Sequence, residues 1–225
     1  MLRAILFDFD GVLADTEPIH FEMFRKVLAG VGIELTEAAY QQKYLGLDDR
    51  ACFRAVFRDG KKSMTPAIEE KLVREKNRNL LEYVKGRSLL LPGVKERLMS
   101  FRGRYFLAVV SGALRNEIEY LLRGGNVLQF FQTIVSAEEV TQGKPAPEGY
   151  LKAVQLLNRD HIPESEILLP AECLVVEDSP WGIEAGHKAG MKCVAVTHSY
   201  PAARLSDADW VIDRIDQLRP EELKP

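Results

Sequence analysis

The chain has 225 residues, 46% of them hydrophobic and 28% charged, the composition of a soluble globular protein with room for one large domain or a core with a smaller insert. Its formal net charge of −3 argues against a nucleic-acid partner, which favours basic patches, and no run approaches the roughly 18 apolar residues of a membrane span. Cys52, Cys173 and Cys193 have no metal or redox spacing and are expected to be reduced structural thiols. With no signal sequence ahead of the first strand, this is the pattern expected of a cytoplasmic protein.

The first predicted strand, Ala4 to Phe7, ends in Asp8-Phe9-Asp10-Gly11. The segment 16–87 then contains no convincing strand. One apolar stripe runs through Ile19, Phe21, Phe24, Val27 and Leu28, and a second through Ala51, Phe53, Val56 and Phe57. A third joins Ile68, Leu72, Leu80, Leu81 and Val84, with Thr65-Pro66 as cap and first helical residue. Beyond it, helices about Gly93–Phe101, Leu114–Leu122, Glu148–Leu157 and Trp181–Ala189 alternate with strands. The strands are Tyr105–Val110, Thr133–Val135, Cys173–Val176, Lys192–Val196 and a short Trp210–Ile212. That alternation predicts an α/β fold, a doubly wound and mostly parallel sheet. Residues 1–15 and 88–225 would form the core domain and residues 16–87 an inserted α-helical cap domain.

Polar groups gather where these strands end, the rim where open α/β sheets bind ligands. Asp8 and Asp10 start on the same side of an extended chain, and Gly11 lets the backbone turn sharply after them. Two carboxylates facing one small volume repel unless a proton or cation lies between them. One can then serve as nucleophile and the other as proton carrier, beside a hard divalent cation. Ser111-Gly112 offers a hydroxyl and backbone N–H groups suited to a phosphate oxygen; read alone, Ser111 is equally a helix cap. Lys144 sits in the stiff loop Gly143-Lys144-Pro145-Ala146-Pro147, where it is either held in place or simply solvated. Glu177-Asp178-Ser179 is either a hard-metal site or a capping sequence for the helix that follows.

Taken together, Asp8-Phe9-Asp10-Gly11-Val12-Leu13-Ala14-Asp15-Thr16-Glu17, Val110-Ser111-Gly112, Gly143-Lys144-Pro145-Ala146-Pro147 and Val176-Glu177-Asp178-Ser179-Pro180-Trp181-Gly182-Ile183-Glu184-Ala185 resemble the haloacid dehalogenase superfamily over essentially the whole chain. The resemblance is to the beta-phosphoglucomutase and sugar-phosphatase branch, with its helical cap after the first strand. It implies that Asp8 attacks phosphorus and that Asp10 is the general acid and then base. It also implies Mg2+ held by Asp8, the Asp10 carbonyl and Asp178, with Glu177 near or behind it, and the transferring phosphoryl group held by Ser111 and Lys144. The charges agree with these roles. A phosphate dianion about 4 Å from Asp8 is opposed by roughly 8 kcal/mol at an effective dielectric of about 20, and Mg2+ with Lys144 supplies the positive charge that offsets it.

Within the cap, the Thr16 hydroxyl and His20 imidazole are placed to contact Asp10 as the cap closes; the resemblance to the mutase branch implies that role for His20, a substrate-binding role for Lys76, and a second phosphate for Arg50. Departures from the family pattern stand beside these assignments. Arg50 comes one residue late and follows Asp48 and Asp49, so pairing with either aspartate, or simple solvation, competes with phosphate binding. The stretch Asn158 to Ala171 is long for the family and reads as a surface insertion. His187, Cys193 and His198 are expected to be structural or surface residues. The expectation is a Mg2+-dependent phosphatase of small phosphorylated metabolites, a monomer with neither nucleic-acid nor membrane partners. A beta-phosphoglucomutase-type sugar phosphomutase is the alternative, and a non-catalytic phosphoaspartate signalling domain the more distant one.

Overall fold

The computed structural model describes residues 1–223. It contains two compact units, one made of Met1–Asp15 with the chain from Ser88 onward, the other of Thr16–Arg87.

In the first unit, β1 (Ala4–Phe7), β2 (Phe106–Val110), β3 (Thr133–Val135), β4 (Cys173–Glu177), β5 (Lys192–Val196) and β6 (Trp210–Ile212) form one sheet in the order β3-β2-β1-β4-β5-β6. Every neighbouring pair is parallel, so the expected doubly wound sheet is fully rather than mostly parallel. Parallel strands covered on both faces need unbroken apolar runs, and Ala4, Ile5, Leu6 and Phe7 are all completely buried. The chain works outward from β1 to β2 and β3 on one side, and from β4 to β5 and β6 on the other. The strand order therefore reverses at β1 and β4, the point where open sheets leave a crevice beyond their C-terminal ends. Phe7 is in register with Val109 of β2 and Val176 of β4. Asp8, Val110 and Glu177 consequently come level at that rim, with Ser111 and Asp178 one residue beyond.

The covering helices are α5 (Val94–Phe101), α6 (Arg115–Gly124), α7 (Glu148–Asp160) and α8 (Pro180–Lys188), numbered after the four of the second unit. One expectation fails here. Asn158 to Ala171 is not a mere surface insertion: α7 continues to Asp160, and Ile162 and Leu168 join the buried cluster around Tyr150, Leu157 and Cys173. The Asn158 side chain clamps this turn, donating to the Leu168 carbonyl (2.9 Å) and accepting from the Leu168 N–H (2.7 Å). Arg3 fastens it from outside, through the Glu166 carbonyl (2.8 Å) and Glu172 (3.1 Å). The prolines at 163 and 170 break the helix without keeping the chain at the surface.

The second unit packs α1 (Glu17–Ala29), α2 (Glu37–Lys43), α3 (Asp49–Asp59) and α4 (Pro66–Tyr83). The apolar stripes meet inside it, with Phe24 of α1 edge-on to Phe53 of α3 at 5.0 Å. Thr65 caps α4 by accepting from the Ile68 N–H (3.3 Å), and Pro66 is its first residue. Asp48 caps α3 through the Ala51 N–H (2.9 Å). Sequence periodicity left α2 unassigned because it spans seven residues and buries only Tyr40.

Candidate active site

The chain leaves β1 in a tight turn. The Asp8 N–H still donates to the Val176 carbonyl of β4 (2.9 Å), while the Leu13 N–H returns to the Phe9 carbonyl (2.9 Å) and the Gly11 N–H to Ala14 (2.8 Å). Gly11 has φ of +75°, a left-handed conformation open to glycine at little cost. A Cβ there would also lie 1.8 Å from Asp178 Oδ2, so the turn brings the backbone directly under the Asp178 carboxylate. Asp8 is buried and Asp10 half-buried. From the end of β2, the Ser111 hydroxyl faces Asp10 Oδ2 (3.4 Å) and accepts from the Ala113 N–H (3.0 Å), with Gly112 exposed between them. Ser111 does not cap α6, whose cap position belongs to Leu114.

Lys144 links the strand ends. Its Nζ donates to Asp8 Oδ1 (2.5 Å), Glu177 Oε1 (2.5 Å) and the Val110 carbonyl (3.1 Å), so it is held rather than solvated. Glu177 is completely buried and fully engaged. Its Oε1 also accepts from the Tyr150 hydroxyl (2.8 Å), and its Oε2 accepts the N–H groups of Asp178 (3.1 Å) and Ser179 (3.2 Å) and the Ser179 hydroxyl (2.9 Å). Asp8, Glu177 and Asp178 each offer a carboxylate oxygen within 4.8 Å of the others. Burial pushes the Asp8 carboxyl up to about 8; the Lys144 ammonium works against this, and Glu177 and Asp10 reinforce it. Burial also disfavours the Lys144 ammonium, but Asp8 and Glu177 outweigh burial and hold its pKa above the ordinary lysine value.

Two residues that position Glu177 were not singled out from sequence. Gly182, in the first turn of α8, would place a Cβ 1.7 Å from Glu177 Oε1, so only glycine admits the carboxylate there. Ser179, and not Asp178, caps that helix through the Gly182 N–H (3.1 Å). Tyr150 on α7 is completely buried, and burial together with Glu177 raises its phenol pKa well above the ordinary value, so it remains a proton donor. In the sequence it reads as one more apolar position on an amphipathic helix. Tyr150→Phe is expected to leave the fold intact and to cost about 1.5–3 kcal/mol, the worth of one hydrogen bond to a buried charge. Urea unfolding of the two proteins measures this, and equal midpoints would exclude a strong Tyr150–Glu177 bond.

The remaining predicted residues belong to the helical unit. Thr16 is buried, and its carbonyl accepts the N–H groups of Ile19 and His20 (both 2.9 Å). Lys76 is completely buried: its Nζ donates to His20 Nδ1 (2.5 Å), pairs with Asp49 and lies 4.6 Å from the centre of the Phe24 ring. Neither competing partner foreseen for Arg50 is the one found. Asp48 is the α3 cap and Asp49 pairs with Lys76, whereas Arg50 pairs with Glu69 (2.8 Å). Glu69 is buried and also takes a two-point contact from Arg54 (2.5 and 2.9 Å). Burial raises the Glu69 carboxyl, but the bonds from Arg54 and Arg50 prevail and hold its pKa below the ordinary value.

Carboxylates and a partly buried lysine thus gather at the switch point of a parallel sheet, the arrangement of an α/β enzyme. The haloacid dehalogenase-like hydrolase family model matches residues 5–196, and the chain belongs to that family. It is 30% identical to a phosphorylated carbohydrates phosphatase of Thermotoga maritima, over 99% of this chain and 96% of that protein. It is also 30% identical to a fructose-1-phosphate phosphatase of Escherichia coli, over 85% and 95% of the two chains. Among solved structures, a beta-phosphoglucomutase from Clostridium difficile superposes with a TM-score of 0.86 at 26% identity, covering 98% of this chain and 95% of that one.

Proposed function

We propose that this chain is a phosphatase of small phosphorylated metabolites, chiefly sugar phosphates, working through a phosphoaspartate on Asp8. The observation that carries the reading is the Lys144 ammonium held at 2.5 Å from both Asp8 and Glu177 at the sheet's switch point. Asp8 forms a bond to phosphorus as the bond to the sugar oxygen breaks, and Asp10 gives that oxygen its proton. Asp10 then takes a proton from water, whose oxygen attacks the phosphoaspartate, releasing phosphate and restoring Asp8. Lys144 and Ser111 hold the phosphoryl oxygens through both steps.

The donors at this site are all oxygens, which suits a hard cation such as Mg2+. Asp8, Asp178 and the Asp10 carbonyl would hold it, while Glu177, with both oxygens already taken, stands behind and anchors Lys144. Bound there, Mg2+ neutralises charge on the transferring phosphoryl group. Residues 16–87 are the proposed cap, with Thr16, His20, Lys76 and Arg50 as its substrate-selecting candidates. The Arg50–Glu69 pair favours hydrolysis over mutase chemistry, because the arginine that would take a second phosphate already serves a buried carboxylate. Among the described residues no helix is long and apolar enough to cross a membrane.

The test is a panel of sugar monophosphates with Mg2+, scored for released phosphate and for isomers, and including beta-glucose 1-phosphate with a catalytic bisphosphate. Rapid, chelator-sensitive phosphate release from one ester is the expected result. Conversion to the 6-phosphate with little release would overturn hydrolysis in favour of a mutase. A stable acyl phosphate without turnover on any substrate would indicate a signalling domain.

A further inference from the structure

The spacing of His187, Cys193 and Asp209 along the chain carries no metal signature, yet the fold gathers them. Their ligand atoms, an imidazole nitrogen, a thiol sulfur and a carboxylate oxygen, all lie within 4.8 Å of one another. The sheet explains how. Cys193 is the second residue of β5, and Asp209 immediately precedes β6, which pairs with β5. The Cys193 N–H donates to Asp209 Oδ2 (2.9 Å) and the Asp209 N–H to the Cys193 carbonyl (3.0 Å), fixing the carboxylate beside the thiol residue. His187 arrives from the last turn of α8. That helix lies close over β5 because Gly186 has no Cβ; one placed there would be 2.5 Å from Cys193 Sγ. The cluster sits where β5 and β6 begin, whereas Asp8, Ser111 and Asp178 follow the ends of their strands, so it is separate from the site already described.

We propose that His187, Cys193 and Asp209 bind one zinc ion. Zinc takes nitrogen, sulfur and oxygen ligands at about 2.0–2.3 Å, so two ligands of one tetrahedral ion stand about 3.3–3.8 Å apart. His187 Nε2 and Asp209 Oδ2 are 3.0 Å apart, and the cluster as a whole needs to close by about 1 Å at its widest to reach that geometry. The ion takes the place of the proton between His187 Nε2 and Asp209 Oδ2, and the ring carries its one proton on Nδ1 instead, so the imidazole stays neutral. A bond forms from sulfur to metal as the Cys193 thiol proton leaves to solvent. Thiolate and carboxylate together balance the two charges of the ion, and imidazole adds none. Lys192 stays on the other carboxylate oxygen, Oδ1, at 2.6 Å. Three protein ligands leave a fourth position for water, which reaches the site beside the partly exposed His187 ring. The ligand set separates this site from the acidic cluster: sulfur and nitrogen suit zinc and cobalt, whereas all-oxygen donors suit Mg2+.

The experiment titrates Co2+, as a spectroscopic stand-in for zinc, into the full chain with Mg2+ in excess to occupy oxygen-only sites. The expected result is one Co2+ per chain, with a thiolate-to-metal charge-transfer band and tetrahedral visible bands that vanish when Zn2+ is added. Cys193→Ser should abolish the charge-transfer band. Because Cys193 is buried and that variant could misfold, the exposed His187→Ala is titrated alongside and should weaken binding at least tenfold with an unchanged thermal melt. Absence of the charge-transfer band in the wild-type protein, or the same band at the same affinity in His187→Ala, would overturn the site. The second outcome would assign the signal to another thiol.

Discussion

Asp8→Asn is expected to lower phosphate release by about four to six orders of magnitude, the range seen when a nucleophile is removed from an otherwise intact site. The carboxamide has nearly the shape of the carboxylate and can still accept from Lys144, and Glu177 keeps its own contacts, so the fold is retained. On the proposed mechanism the loss should fall on kcat, with Ser111 and Lys144 left to hold the phosphoryl group. Wild-type turnover in the variant would remove Asp8 from the reaction. A second readout separates the charge of Asp8 from its reactivity. The folded Asp8 carboxyl is pushed up to about 8 from an ordinary 3.8, by burial first. Between those values the folded protein holds a proton that the unfolded chain has released. Asp8 therefore contributes a stability that is full below about pH 4 and is lost as pH rises toward 8. Metal-free wild-type protein should show that decline in urea unfolding, and Asp8→Asn should lack it. Mg2+ should stabilise the wild type most at the alkaline end, where it no longer competes with the proton.

The sheet was legible because each central strand is an apolar run too short for a helix and closed by a polar residue. Cys173-Leu174-Val175-Val176 before Glu177 is the clearest case. What the runs could not give was lateral order, and lateral order builds the site. Only when β1 lies between β2 and β4 do Asp8, Val110 and Glu177 come level, which lets Lys144 reach all three. Tyr150 is hidden in the sequence because an apolar stripe on α7 accounts for its ring, and nothing local marks a hydroxyl aimed at a strand far along the chain. In the sequence Arg50 stands beside Asp48 and Asp49, but α3 turns those away and presents Arg50 to Glu69 on α4. Asn158 to Ala171 reads as a surface insertion for a related reason. Its prolines and acids mark turns correctly, yet Ile162 and Leu168 fill the core between those turns. In each case the sequence carried the local conformation and left out the partner across the fold.

Lys144→Ala is expected to damage both the fold and the reaction. The ammonium is the shared counter-charge of Asp8 and Glu177, and Glu177 is completely buried. Removing one partner of a buried ion pair costs about 3–5 kcal/mol, because the charge left behind has lost its water and gained nothing in return. The cost depends on pH. The ammonium holds the Asp8 carboxyl down toward about 8 in the metal-free wild type, so its loss pushes that carboxyl further up, and Asp8 in the variant stays protonated and leaves Glu177 as the principal stranded charge. Above about 8 the wild type keeps an ionised Asp8 paired with Lys144 whereas the variant must hold the proton, so urea unfolding should show a larger loss at pH 9 than at pH 6. Mg2+ should recover part of the stability by returning positive charge beside Asp8 and Asp178, but on the proposed mechanism it does not replace Lys144 at the phosphoryl oxygens. Activity in the Mg2+-loaded variant should therefore remain down by about two to three orders of magnitude, as when one preorganised donor is lost from a transition-state site. Those two readouts divide structure from chemistry: full recovery of both stability and kcat with Mg2+ would reduce Lys144 to a structural counter-ion, whereas recovered stability with a persistent fall in kcat places its charge on the transferring group.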